Sequence, residues 1–203
     1  MIAIIDYGVG NLFSLQCSLH AVGAEAVITS DAATVERADG VILPGVGAFA
    51  DAAAKLHRTG LDEAVKARAR AGKKLMGICL GMQLLFGESH EYGRHSGLGL
   101  IPGSIRPISE TIPKGLKIPH MGWNALCIAN PAHPLFREIR EGDCVYFVHS
   151  YSAVDCDEYV LAAAEYGARL TAAVAKDNIL GCQFHPEKSG DVGLSILKAF
   201  CKL

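Results

Sequence analysis

The sequence predicts an α/β fold of three layers, a mostly parallel central sheet with helices on both faces. Apolar runs of strand length, such as Ile2 to Ile5 and Gly40 to Leu43, are continuous rather than alternating, as in strands buried on both sides. Helix-like segments follow them, at Leu12 to Val22 and Leu61 to Ala71. Half of the residues are hydrophobic and 20% are charged, which excludes extended disorder. The 203 residues suffice for one domain, 1–203, with a substantial core, and no repeat, low-complexity tract or linker divides them.

The elements follow in order. Met1-Ile-Ala-Ile-Ile5 lacks a basic flank and meets Asp6 at once, so it reads as a first strand rather than a signal peptide. The loop Asp6 to Asn11 leads into the first helix. Its glycines Gly8 and Gly10 do not make a dinucleotide fingerprint, because the third small position falls on Phe13. Ala26 to Thr29 is a second strand, and Gly40 to Leu43 a third that enters Pro44-Gly45-Val46-Gly47-Ala48-Phe49. G-x-G-x-x-A does match at 45, 47 and 50, but no acidic residue closes a second strand about 20 positions on. Leu61 to Ala71 carries its basic residues on a solvated side and stops at Gly72.

Lys74 to Phe86 then predicts strand, sharp turn and helix, with Met82, Leu85 and Phe86 on one helical face. Glu88 to His95 reads as a polar loop whose histidines have no function, and Leu98 to Ser104 and Leu116 to Ile118 as short strands between prolines. Trp123 is the only tryptophan, a residue more often core than interface. Cys144 to Val148 is a strand ending in His149-Ser150-Tyr151, polar residues at the edge where open α/β sheets bind ligands. Val160 to Ala164, Thr171 to Ala175 and Ile179 to Phe184 are further strands, the last two joined by a turn at 176–178. Val192 to Leu203 is a closing helix.

Gly77 and Gly81 bracket Cys79 with the spacing of a nucleophile elbow, cysteine replacing serine. A side chain at either glycine would crowd the strand-to-helix packing, and a helix N-terminus stabilises a thiolate. In such elbows one oxyanion donor is the N–H after the nucleophile and the other comes from a glycine-rich loop after a neighbouring strand. Leu80 and the Gly45–Gly47 loop fit those roles. His185-Pro186-Glu187 ends the last strand, and in an extended segment residues i and i+2 point the same way, so Glu187 can orient the imidazole of His185. Nucleophile, base and orienting carboxylate together make a Cys79–His185–Glu187 triad.

A formal charge of -2 gives no case for nucleic acid, and no apolar run reaches the roughly 20 residues that span a bilayer. Seven scattered cysteines suggest neither disulfides nor zinc and fit a reducing cytoplasm. No metal or cofactor is expected.

Gly77-Ile-Cys79-Leu-Gly81-Met-Gln83 together with His185-Pro-Glu187 resembles the class I glutamine amidotransferases, over nearly the whole chain. The blocks Ile5 to Leu12, Pro44 to Phe49, Met121 to Asn124, Phe147 to Tyr151 and Phe184 to Gly190 resemble, within that family, the branch that supplies ammonia for imidazole glycerol phosphate synthesis. The resemblance implies a flavodoxin-like core and L-glutamine as substrate, hydrolysed to glutamate and ammonia. It implies that Gln83 and the main chain at Gly45, Gly47, Ser150 and Tyr151 hold the glutamine, with Gly47 and Leu80 as oxyanion donors. It also implies a heterodimer with a (β/α)8 cyclase/synthase subunit, met by Asn11, Trp123, Tyr146 and Lys188, and a Gly45–Gly47 loop that switches the oxyanion donor. Glutaminases serving other synthases, a non-catalytic binding subunit and a cysteine hydrolase of different substrate are the competing readings.

Overall fold

The computed structural model describes residues 1–203. Its strands are β1 (Ile2–Ile5), β2 (Ala26–Thr29), β3 (Gly40–Leu43), β4 (Lys74–Ile78), β5 (Phe86–Ser89), β6 (His95–Ser96), β7 (Ile101–Pro107), β8 (His120–Ile128), β9 (Cys144–His149), β10 (Tyr151–Val154), β11 (Val160–Glu165), β12 (Arg169–Lys176) and β13 (Ile179–Cys182). The helices are α1 (Leu12–Ala21), α2 (Ala32–Arg37), α3 (Phe49–Arg58), α4 (Leu61–Arg70), α5 (Leu80–Leu84) and α6 (Gly190–Lys202). None is long and apolar enough to cross a membrane.

The main sheet has the order β2-β1-β3-β4-β13-β12-β11-β8-β9. From β2 to β13 the neighbours are parallel, and from β13 to β9 they are antiparallel. The change of direction follows from the connections: β12 and β13 are joined by a turn far too short to hold a crossover helix. The parallel half is three-layered, as expected. Ile2 and Ile4 of β1 pack in one apolar cluster with Leu19 of α1 and Phe200 of α6, while Ala3 and Ile5 pack in another with Val35 of α2 and Val65 of α4. With a core on each face, every position of the strand is apolar, which explains the continuous runs.

A second sheet, β10-β7-β5-β6, corrects several expectations. The helix after Cys79 ends at Leu84, and Phe86 starts a strand instead of completing an apolar helical face. Leu98, Leu100 and Ile101 donate their N–H groups to the carbonyls of Leu84 and Leu85, capturing acceptors a longer helix would use. The loop expected from Glu88 to His95 narrows to residues 90–94, because Glu88 and Ser89 pair with Ser96 and His95, and the strand expected at Leu98 to Ser104 is shifted to Ile101–Pro107. Leu116 to Ile118 forms no strand; Leu116 and Ile118 are 41% and 45% exposed. Two helices were not read from the sequence, although in α3 the buried Phe49, Ala52 and Leu56 keep the i, i+3, i+7 spacing of one core-facing stripe. Asp31 caps α2 by accepting from Ala33 and Thr34 N–H, and α3 starts where Phe49 N–H donates to Glu91.

Strand directions gather the chemistry. The carboxyl ends of β1, β3, β4, β13 and β9 all lie at one edge of the sheet, so the residues after them meet there.

Candidate active site

Cys79 sits between β4 and α5 with φ 54° and ψ -113°, a left-handed conformation costing a non-glycine residue on the order of 1–3 kcal/mol. Packing enforces it. A Cβ on Gly81 would lie 1.8 Å from the Leu43 carbonyl oxygen, and one on Gly77 would lie 2.6 Å from Gly81 O and Met82 Cα. The Cys79 N–H donates to Cys182 O at 2.8 Å, tying the elbow to the end of β13.

After β13 the chain passes through Phe184 to His185, whose N–H donates to Tyr146 O at 2.9 Å. Ser189 Oγ donates to His185 O at 2.6 Å and accepts from Tyr146 N–H at 3.0 Å, fixing the backbone on both sides. Residues Pro186–Lys188 form one 3-10 turn. That turn, rather than an extended i, i+2 alternation, brings Glu187 Oε1 to 2.8 Å from His185 Nδ1. The two side chains are only 3% and 4% exposed. Burial by itself disfavours the imidazolium, but contact with the Cys79 thiol and with Glu187 outweighs it and raises the His185 pKa to about 9. Nε2 has no hydrogen-bond partner, which leaves it free for the sulfur and a reacting group.

Cys79, His185, Gly47, Leu80, Gln83, Ser150 and Tyr151 line one pocket of about 240 Å³. A hollow of about 680 Å³ near Lys73, His133 and Asp177 is larger but holds no nucleophile with a base. Gly45 lies behind the pocket wall, where a Cβ would meet Tyr7 Oη at 2.8 Å and Gly81 N at 2.9 Å. The Leu80 N–H, one of the two expected oxyanion donors, is given to Gly45 O at 3.3 Å. Tyr7 Oη donates to Pro44 O at 2.8 Å and holds the start of that loop. Burial and the neighbouring Cys79 push the Tyr7 hydroxyl well above its ordinary pKa, so it remains a donor. No three His, Cys, Asp or Glu side chains are grouped to hold a metal ion.

Three features escaped the sequence reading. Gln183 is fully buried; its Nε2 donates to Cys79 Sγ at 3.8 Å and its Oε1 accepts from Gln83 Nε2 at 2.9 Å. Glu91 lines the pocket as its one carboxylate. A relay of buried histidines supports the wall: His149 Nδ1 donates to Tyr151 O at 2.9 Å, His120 Nδ1 to His149 Nε2 at 3.0 Å, and Asn124 Nδ2 to His120 Nε2 at 3.2 Å. The carbonyl at one end and the amide at the other fix both tautomers. Burial, foremost, holds the His149 pKa at about 4, so that ring stays neutral. The signal available in the sequence was position: His149 and Gln183 both lie at or just past the carboxyl end of a strand.

Beside the pocket, Trp123 is 57% and Met121 61% exposed, which removes the core reading of the tryptophan. Trp123 and Tyr146 are cross-strand partners with ring centroids 6.2 Å apart, and Lys188 Nζ stands 5.8 Å over the Tyr146 ring. Asn11 precedes α1 and makes no side-chain cap.

A family model described as glutamine amidotransferase class-I matches residues 3–202. The chain is 50% identical over 204 residues to the imidazole glycerol phosphate synthase subunit HisH of Syntrophotalea carbinolica, covering 98% of each. It is 48% identical over 205 residues to the protein of that name from Wolinella succinogenes, covering all of both. Among solved structures, PurLQS from Thermotoga maritima superposes with a TM-score of 0.77 at 20% identity over 99% of this chain and 97% of the other. A crystal structure described as glutamine amidotransferase gives 0.76 at 20% identity, over 99% and 100%. These two likenesses concern the fold alone.

Proposed function

The chain belongs to the class-I glutamine amidotransferases, and from that membership we propose that it is the glutaminase subunit of an imidazole glycerol phosphate synthase in histidine biosynthesis. The reading is carried by one observation: a strained cysteine and a histidine backed by a buried glutamate, from distant parts of the chain, meet at one pocket.

In this reading Cys79 Sγ attacks the side-chain carboxamide of L-glutamine, and the thiol proton passes to His185. An imidazole with a pKa of about 9 holds that proton at neutral pH and delivers it to the leaving ammonia. A glutamyl thioester remains. The neutral ring then takes a proton from water, which cleaves the thioester to glutamate and restores the thiol. Glu187 keeps Nδ1 protonated and balances the imidazolium. Gln83 spends its N–H groups on Gln183 and Tyr151 O, so its carbonyl oxygen is the atom left for the substrate. Glu91 is the pocket carboxylate suited to an α-ammonium group.

The oxyanion donors are the N–H groups of Leu80 and Gly47. With Leu80 N–H given to Gly45 O, stabilising the tetrahedral oxygen requires that carbonyl to turn away. One such donor is typically worth about 10²–10³ in rate, so the Gly45–Gly47 loop is a switch that a partner could operate. Ammonia freed into neutral water would be protonated, which makes an adjoining acceptor enzyme necessary. The exposed face of Met121, Trp123, Tyr146 and Lys188 beside the pocket suits a (β/α)8 synthase. Reaction of that ammonia with a ribonucleotide on the synthase would give imidazole glycerol phosphate and an aminoimidazole carboxamide ribonucleotide.

Glutamate release is to be measured for wild type and Cys79→Ala, each with and without a barrel synthase and its nucleotide. Release should need Cys79 and rise with the loaded synthase, chiefly through kcat. Equal release with and without synthase would remove the switch. Failure of free glutamine to protect Cys79 from a glutamine-analogue alkylator would favour another substrate.

A further inference from the structure

Gln183 lies beneath the pocket floor, fully buried and out of reach of any ligand in the pocket. We propose that Gln183 is a positioning residue that holds the Cys79 sulfur through its amide N–H and favours the thiolate, with Gln83 fixing which way that amide faces. The inference rests on the reading of Cys79 as nucleophile.

The orientation is forced by hydrogen-bond accounting. Gln83 Nε2 gives one N–H to Tyr151 O at 3.3 Å and the other to Gln183 Oε1 at 2.9 Å. Both donors are thus spent, and Gln183 must turn its oxygen toward Gln83 and its NH₂ toward Cys79 Sγ, 3.8 Å away. The backbone beneath it is fixed, because Gln183 N–H donates to Ala172 O at 2.8 Å and extends the β12–β13 ladder, and full burial confines the side chain. A donor buried against sulfur stabilises its anionic form more than its neutral form. The arrangement also joins the residue proposed to hold glutamine to the residue proposed to attack it, through two hydrogen bonds. His185, Tyr7 and Cys182 are the other titratable groups acting on or beside the sulfur, and no substitution at 183 alters their identity.

The test measures the pH dependence of iodoacetamide alkylation of Cys79, followed by peptide mass spectrometry, in wild type, Gln183→Met and Gln183→Glu. Methionine keeps the bulk and removes the donor. Glutamate keeps an acceptor for Gln83 and sets a carboxylate against the thiolate. The midpoint should move up by about one pH unit in Gln183→Met and further in Gln183→Glu, with kcat falling about tenfold in both and KM nearly unchanged in Gln183→Glu, which keeps the acceptor for Gln83. A midpoint within about 0.2 unit of wild type in a folded variant overturns the proposal, even if the melting temperature drops, because that is the behaviour of a merely structural amide. Should Gln183→Met not fold, Gln183→Glu decides alone. Glutamine protection of Cys79 in wild type, scored in the same experiment, reports separately on whether Cys79 is the nucleophile.

Discussion

Replacing Glu187 by Gln separates the charge of the pair from its shape. In the wild type the His185 pKa rises from 6.5 to about 9, against burial that pulls it down. At about 1.36 kcal/mol per unit, a rise of that size is about 3 kcal/mol of folding free energy, shared between Glu187 and Cys79 as the two groups that raise it. Neither side chain is exposed enough for water to screen the pair. The sign follows from a folded pKa above the unfolded value: the contribution is complete below pH 6.5 and is lost as pH climbs through 9. Urea unfolding of wild type and Glu187→Gln from pH 5.5 to 10 should therefore show a gap of about 1–3 kcal/mol at the acid end that closes above pH 9. His149 works in the opposite sense, losing stability between pH 6.5 and about 4, but it is common to both proteins and cancels. Glutaminase kcat should fall by about 10²–10⁴ in the same variant. A stability gap that is flat with pH, or widens toward pH 10, would refute the charged pair.

Three further outcomes are expected. Gly81→Ala places a Cβ 1.8 Å from Leu43 O and should cost at least about 3 kcal/mol in urea unfolding or prevent folding, whereas a loss under 0.5 kcal/mol would mean the elbow is looser than described. His149 should show no imidazolium chemical shift in NMR titration down to about pH 5, and a midpoint near 6.5 would break the relay of fixed tautomers. Trp123→Ala, at a site 57% exposed, should leave the melting temperature of the isolated chain within a few degrees yet weaken synthase binding by about 2 kcal/mol in calorimetry. Unchanged affinity would move the partner face elsewhere.

The apolar runs were enough to read a strand-rich α/β chain, and the glycine spacing around Cys79 with the His-Pro-Glu tripeptide was enough to propose a cysteine nucleophile and its base. These signals are local: a strand buried on both faces needs apolar residues throughout, and an elbow needs glycine where backbone meets backbone. The small second sheet was not legible, because carbonyls of Leu84 and Leu85 are claimed by residues from 98 to 101 that no window around the helix contains. Gln183 was passed over for the same reason, and His149 was read only as part of a polar edge cluster, without its place in the histidine relay. A buried glutamine or histidine looks unremarkable in sequence, and it acquires a role only when strands β13 and β9 carry it to the edge where β4 ends. Residue chemistry along the chain determined what could react. Which of those groups stand within hydrogen-bond reach was decided by strand order and direction, a property of pairings across the whole chain.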